Sequence, residues 1–106
     1  MNMNNEEIML TIIGCSGDSR CCSLEAIDLA KEGRFAEAKE KLKTAEERLI
    51  EAHKAHTELL SETAKRADYA VTFIMVHASN NLTQAETTAD MAKNFVYVLE
   101  QMKEER

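Results

Sequence analysis

From Phe35 onward, apolar and small residues recur at alternating intervals of three and four: Phe35, Ala38, Leu42, Ala45, Leu49, Ala52, His56 and Leu59. That is a heptad seam, the pattern of a helix packed lengthwise against other helices. Its opposite face carries Glu37, Glu40, Lys41, Lys43, Glu47, Glu51 and Lys54, suited to solvent and to local ion pairs. At 1.5 Å per residue such a helix runs about 40 Å.

The C-terminal third carries two seams. One is Val71, Ile74, Ala78, Asn81, Ala85, Thr88, Ala92, Phe95, Leu99 and Met102; the other is Met75, Ala78, Leu82, Ala85, Ala89, Ala92, Val96 and Leu99. A helix apolar over so broad a face needs partners on two sides. Two neighbours within the chain could satisfy it. The alanines let backbones approach closely, however, and so long a helix in so small a domain leaves surface for other subunits. Self-association is expected.

The N-terminal stretch is less regular. Ile8 and Ile12 mark one apolar end, and Ala26, Ile27 and Ala30 mark the other. Between them stand Gly14, Cys15, Ser16, Gly17, Asp18 and Ser19. Two glycines inside a helix cost about 1 kcal/mol each relative to alanine. One reading is a loop after a short helix. The other is a continuous helix whose small residues let something approach its backbone. The residues alone favour neither strongly.

Only two segments read as breaks: 31–34, where Gly33 offers a helix-ending positive φ, and the polar run 61–68. The expected architecture is all-α, a single domain over 1–106, with three long helices over about 5–32, 35–60 and 70–103.

Composition narrows the field. The 106 residues include no proline, three glycines and 44% apolar residues, which argues against collagen-like, low-complexity and turn-dense β classes. With 19 acidic residues against 13 basic ones, the net charge of −6 disfavours a nucleic-acid footprint. No apolar run approaches the ~18 residues needed to cross a bilayer, and the N-terminus lacks a basic region followed by an apolar stretch. A cytoplasmic protein without membrane insertion is expected. Cys15, Cys21 and Cys22 fit neither a disulfide framework nor a zinc spacing, and read as reduced core or interface residues.

His77 is the candidate for chemistry. It lies at the margin of the apolar face of the third helix, in a polar strip with Asn81, Gln84 and Thr88. Such a strip can be structural, fixing helix register as a buried asparagine does. It can also present His77 as a nucleophile, since a neutral imidazole offers a lone pair that can attack phosphorus. Ser79, Asn80, Asn81 and Gln84 are near enough in sequence to be candidate partners for phosphoryl oxygens or for the ring. The chain has no phosphate-cradling glycine loop and no P-loop lysine, so a phosphoryl group would come from another protein, not from ATP. His53 and His56 stand three apart, but a third metal ligand is not evident and His56 falls on the seam, which favours packing and hydrogen bonding.

Four motifs, in order, resemble the lactose/cellobiose-type enzyme IIA of the bacterial phosphoenolpyruvate-dependent sugar phosphotransferase system (PTS). Ser16-Gly17-Asp18-Ser19-Arg20 is similar to Ala/Ser-Gly-Asp-Ala-Arg, and Gly33-Arg34-Phe35-Ala36-Glu37-Ala38 to Gly-Asp-Phe-x-x-Ala. Glu51-Ala52-His53-Lys54-Ala55-His56-Thr57 parallels Glu-Ala-His-x-x-Gln-Thr, and Val76-His77-Ala78 falls at the phosphorylated histidine. The resemblance implies a long antiparallel three-helix bundle assembled as a homotrimer, third helices near the threefold axis, and a continuous first helix. It also implies that His77 takes phosphate from the histidine-containing phosphocarrier protein and passes it to a cysteine of enzyme IIB during sugar uptake.

The segment after the histidine departs from the family. Ala78-Ser79-Asn80-Asn81-Leu82-Thr83 stands where Ala/Gly-Gln-Asp-His-Leu-Met is usual. The family aspartate can hold a divalent metal at the trimer axis; Asn80 takes its place, and a neutral amide is a poor ligand for a hard cation, so a weak or absent metal site and no other cofactor are expected. Losing the family's glutamine and second histidine also removes phosphoryl or imidazole partners, so that slow, retuned or lost phosphotransfer is expected. A different class also fits part of the chain: residues 30–38 look like the turn of a single tetratricopeptide or microtubule-interacting-type repeat, the mark of a non-catalytic helical interaction module. A degenerate regulatory paralogue is a third reading.

Overall fold

The computed structural model describes residues 4–66 and 70–105, and these form three helices: α1 (Asn5–Lys31), α2 (Phe35–Ala64) and α3 (Phe73–Glu104). No strand occurs among the described residues. Asn4 opens α1 by accepting the Glu7 backbone N–H at 2.8 Å while its amide donates to the Glu7 carboxylate at 3.1 Å. The first bond satisfies a backbone N–H that a helix start otherwise leaves open, and the second ties the two side chains together. The helix then runs unbroken through Gly14 and Gly17. A Cβ at either glycine would meet nothing within 4 Å, so nothing among the described residues uses their smallness.

What carries α1 through this stretch is a seam of serines. Its buried residues are Ile8, Ile12, Ser16, Ser19, Ser23, Ala26 and Ala30, at heptad-like spacing. Ser19 donates to the Ala45 carbonyl of α2 at 2.8 Å, whereas the Ser16 and Ser23 hydroxyls find no partner among the described residues. Small polar side chains fit the narrow gap between helices and hide the periodicity from a purely apolar reading.

α1 ends in a Schellman turn. Gly33 adopts φ +78°, its N–H donates to the Ala30 carbonyl at 3.0 Å, and Arg34 N–H donates to the Leu29 carbonyl at 2.9 Å. That left-handed φ suits glycine and reverses the chain into α2. Arg34 then grips Glu37, and the guanidinium holds that carboxyl below its usual range.

Two boundaries differ from the sequence expectation. α2 continues to Ala64, because Ser61, Glu62 and Thr63 lack apolar periodicity yet include no glycine or proline to stop a helix whose last core residue is Leu59. Residues 67 and 68 of the expected break lie outside the described residues. α3 starts at Phe73, where Thr72 caps it by accepting the Met75 N–H at 3.3 Å. Val71 therefore lies outside the helix, 75% exposed, and is not part of the seam.

Contacts between helices fix the directions. Cys15–Glu51, Ser19–Ala45 and Glu25–Lys41 fall in descending order along α2. His56–Ser79, His53–Glu86 and Lys39–Glu100 show the same antiparallel relation of α2 to α3. α1 and α3 thus run parallel. The exposed ion pairs among these mainly set register. The core is two apolar clusters: one around Ile8, Ile12, Leu59, Met75 and Leu82, the other around Ala26, Ala30, Ala38 and Val96.

The molecule is a rod of 61 × 23 × 16 Å with a radius of gyration of 16.6 Å, against about 13 Å for a compact chain of this length. Of the two α3 seams, Met75, Ala78, Leu82, Ala85, Ala92 and Val96 are buried against α1 and α2. Phe95 and Met102, from the other seam, stay about half exposed, together with Met91 and Val98. The thin bundle leaves this outer face uncovered.

Candidate functional site

His77 stands in the second turn of α3, exposed, on the outer side of the helix. Its Nε2 lies 3.4 Å from the Asn81 amide nitrogen, one turn on. That nitrogen can only donate, so the contact is a hydrogen bond only when Nε2 carries its lone pair and the ring proton sits on Nδ1. At this length the bond is weak, and easily exchanged for a better acceptor.

The other predicted partners are dispersed. Ser79 faces α2, its hydroxyl 3.1 Å from His56 Nε2, and is not a ring partner of His77. A residue two positions along a helix points roughly 200° away, which outweighs its closeness in sequence. Asn80 is exposed and lines a mostly apolar groove of about 330 Å³ between α2 and α3 with His56, Leu59, Met75 and Val76. Gln84 is exposed two turns beyond His77, beside Arg20 of α1. Of the four candidates, only Asn81 touches the imidazole.

The remaining histidines are occupied. His53 contacts the Glu86 carboxylate across α2 and α3, and His56 engages Ser79. Neither pairing was legible from the three-residue spacing of the histidines, since Glu86 reads only as a solvated charge. No group of three or more His, Cys, Asp or Glu side chains gathers among the described residues. With a neutral carboxamide at Asn80, the donor set does not fit a hard divalent cation, and no chemical step here runs through one.

All three cysteines are free thiols. Cys15 donates to Glu51 at 3.3 Å, and Arg48 donates to the same carboxylate at 2.8 Å. Burial pushes the Cys15 thiol above its usual range, and Glu51 pushes it further; burial also raises Cys22. A raised pKa means less thiolate at a given pH and slower alkylation. Iodoacetamide at pH 8, followed by peptide mass spectrometry, should modify the exposed Cys21 first and Cys15 last.

Residues 7–100 match the family described as "PTS system, Lactose/Cellobiose specific IIA subunit". The chain is 39% identical over 106 residues to the lichenan-specific phosphotransferase enzyme IIA component of Bacillus subtilis (strain 168), covering 100% of this chain and 96% of that protein. It is 34% identical to the lactose-specific EIIA component of Staphylococcus epidermidis over 89% of this chain and 93% of that one. Among solved structures, the PTS cellobiose-specific enzyme IIA from Bacillus anthracis superposes with a TM-score of 0.90 at 30% identity, covering 100% of this chain and 97% of that one. Three helices with an exposed histidine in the second turn of the last, together with similarity along the whole length, place this chain in the lactose/cellobiose-specific IIA family of the sugar phosphotransferase system.

Proposed function

We propose that this chain is a phosphohistidine carrier: His77 takes a phosphoryl group from the histidine-containing phosphocarrier protein and passes it to a cysteine of enzyme IIB during uptake of a cellobiose- or lactose-type sugar. The observation that supports this best is the exposed imidazole whose Nε2 faces a single weak donor, Asn81. The Nε2 lone pair forms the new N–P bond as the donor's N–P bond breaks and its electron pair returns to the donor imidazole. Nδ1 keeps its proton, so when a thiolate later attacks phosphorus the ring leaves as neutral imidazole. Little else is asked of the protein beyond position and hydrogen-bond donors. The Asn81 N–H, displaced from Nε2, is placed to donate to a phosphoryl oxygen.

Incubation with phosphoenolpyruvate, enzyme I and the phosphocarrier protein should give an acid-labile, base-stable phosphate on this chain. No label would overturn the carrier reading and leave a regulatory paralogue, for which the change to Asn80 speaks. Asn81→Ala should slow labelling about tenfold without preventing it, below the 10²–10³ typical of a lost oxyanion donor because this bond is long. An unchanged rate would remove Asn81 from the site.

The outer face of α3 supports assembly as a homotrimer. Met91, Phe95, Val98 and Met102 continue the face that carries His77, and a half-exposed apolar row along a long helix is best covered by copies of itself. Sedimentation should show a species of three chains, and Phe95→Asp should reduce it to single chains. The carrier would work in the cytoplasm, where its donor and enzyme IIB are met; no described helix is long and apolar enough to cross a membrane.

A further inference from the structure

Arg20 ends the Ser-Gly-Asp-Ser-Arg stretch of α1 and has no part in the site built around His77. Arg34 and Arg48 hold carboxylates, whereas Arg20 has no ion pair or hydrogen bond among the described residues. Arg20 is exposed, so its guanidinium is open to a ligand from solution. It opens onto a cleft of about 300 Å³ with Thr83, Gln84, Thr87 and Thr88 of α3, and no carboxylate lines it. Thr83 and Thr88 donate their hydroxyl protons back to the Ser79 and Gln84 carbonyls, at 3.1 and 2.7 Å. The donors left to face the cleft are the Arg20 fork, the Thr87 hydroxyl and the Gln84 carboxamide.

We propose that this cleft binds a phosphate-class oxyanion, gripped by the Arg20 guanidinium with Thr87 and Gln84 as supporting donors. A planar fork meeting two oxygens of a tetrahedral anion is the strong form of such a contact. The site is separate from the imidazole: Gln84 lies seven residues beyond His77, about 10 Å along the helix. Assembly strengthens the argument. If the outer face of α3 is covered by other copies, Arg20 at its margin loses water, and a desolvated guanidinium without an anion is costly. The oxyanion is either free phosphate or a phosphoryl group carried on another copy of the chain or on a partner protein.

Nuclear magnetic resonance of the full chain tests both sources by following Arg20 Nε and the Gln84 and Thr87 signals. In one arm, inorganic phosphate is titrated at constant ionic strength against chloride. In the other, the chain is phosphorylated through the phosphocarrier protein with no free phosphate present. Saturable shifts in the first arm assign free phosphate; shifts only in the second assign a carried phosphoryl group. In either arm Arg20→Gln should weaken the effect at least tenfold, with Arg20→Lys intermediate. In the first arm the shifts should persist in His77→Ala, so failure of the carrier reading leaves this result readable. Shifts absent from both arms, matched by chloride, or retained in Arg20→Gln would overturn the proposal. So would an Arg20→Gln chain that falls from trimer to monomer while the wild type binds no phosphate, since Arg20 would then be pairing with a neighbour's carboxylate.

Discussion

His77→Ala should carry no phosphate at all under conditions that fully label the wild type, a loss of more than about 10³-fold, since no other group on the outer face of α3 can form an N–P bond. The fold should survive. His77 is exposed and makes one long hydrogen bond, so a surface substitution here should change stability by no more than about 0.5 kcal/mol. Circular dichroism and thermal melting would confirm that the lost label reflects lost chemistry. A label persisting on the variant would move the acceptor to His53 or His56, and the contacts of those rings to Glu86 and Ser79 would have to open first.

The largest effect on stability is expected at Ile12. It is 0% exposed, in the cluster that joins α1 to Leu59 and Leu82, and α1 has only Ile8 and Ile12 as large fully buried side chains. Ile12→Ala should cost about 2–5 kcal/mol through lost transfer energy and the cavity left behind. Against a total of about 5–15 kcal/mol, that leaves a marginal chain. A urea titration should show a lower midpoint at unchanged slope. A cost below about 1 kcal/mol would mean that α1 does not pack as described.

The seam of α2 was legible apart from Ala55, which is also buried, because alternation of three and four is itself the statement of which face turns inward. The two seams of α3 were legible except at Val71: the residues they share at Ala78, Ala85 and Ala92 fill the core with Met75, Leu82 and Val96, and the surplus at Phe95 and Met102 remains outside. α1 was not, since its inward face is written in serine and alanine, and hydrophobic periodicity cannot see Ser16, Ser19 and Ser23. Its glycines left a loop or a close approach open, and nothing among the described residues makes that approach. The edges of α2 and α3 were missed where no proline or glycine marks them and a threonine cap does. At the site, the i, i+4 relation of His77 to Asn81 followed from helical geometry. Ser79 failed for the same reason, being close in sequence but on the wrong side of the cylinder. The His53–Glu86 contact depends on the register of two helices and could not be read from either alone.

The serine stretch of α1 has a mechanical side. It lies between the two apolar clusters, so the rod has a waist where side chains are small and two hydroxyls lack partners among the described residues. Few large groups interlock there, and disturbance at one end meets little that would carry it to the other. Amide hydrogen exchange should therefore find the half bearing the imidazole and the half bearing the Gly33 turn opening as separate units within a single short bundle.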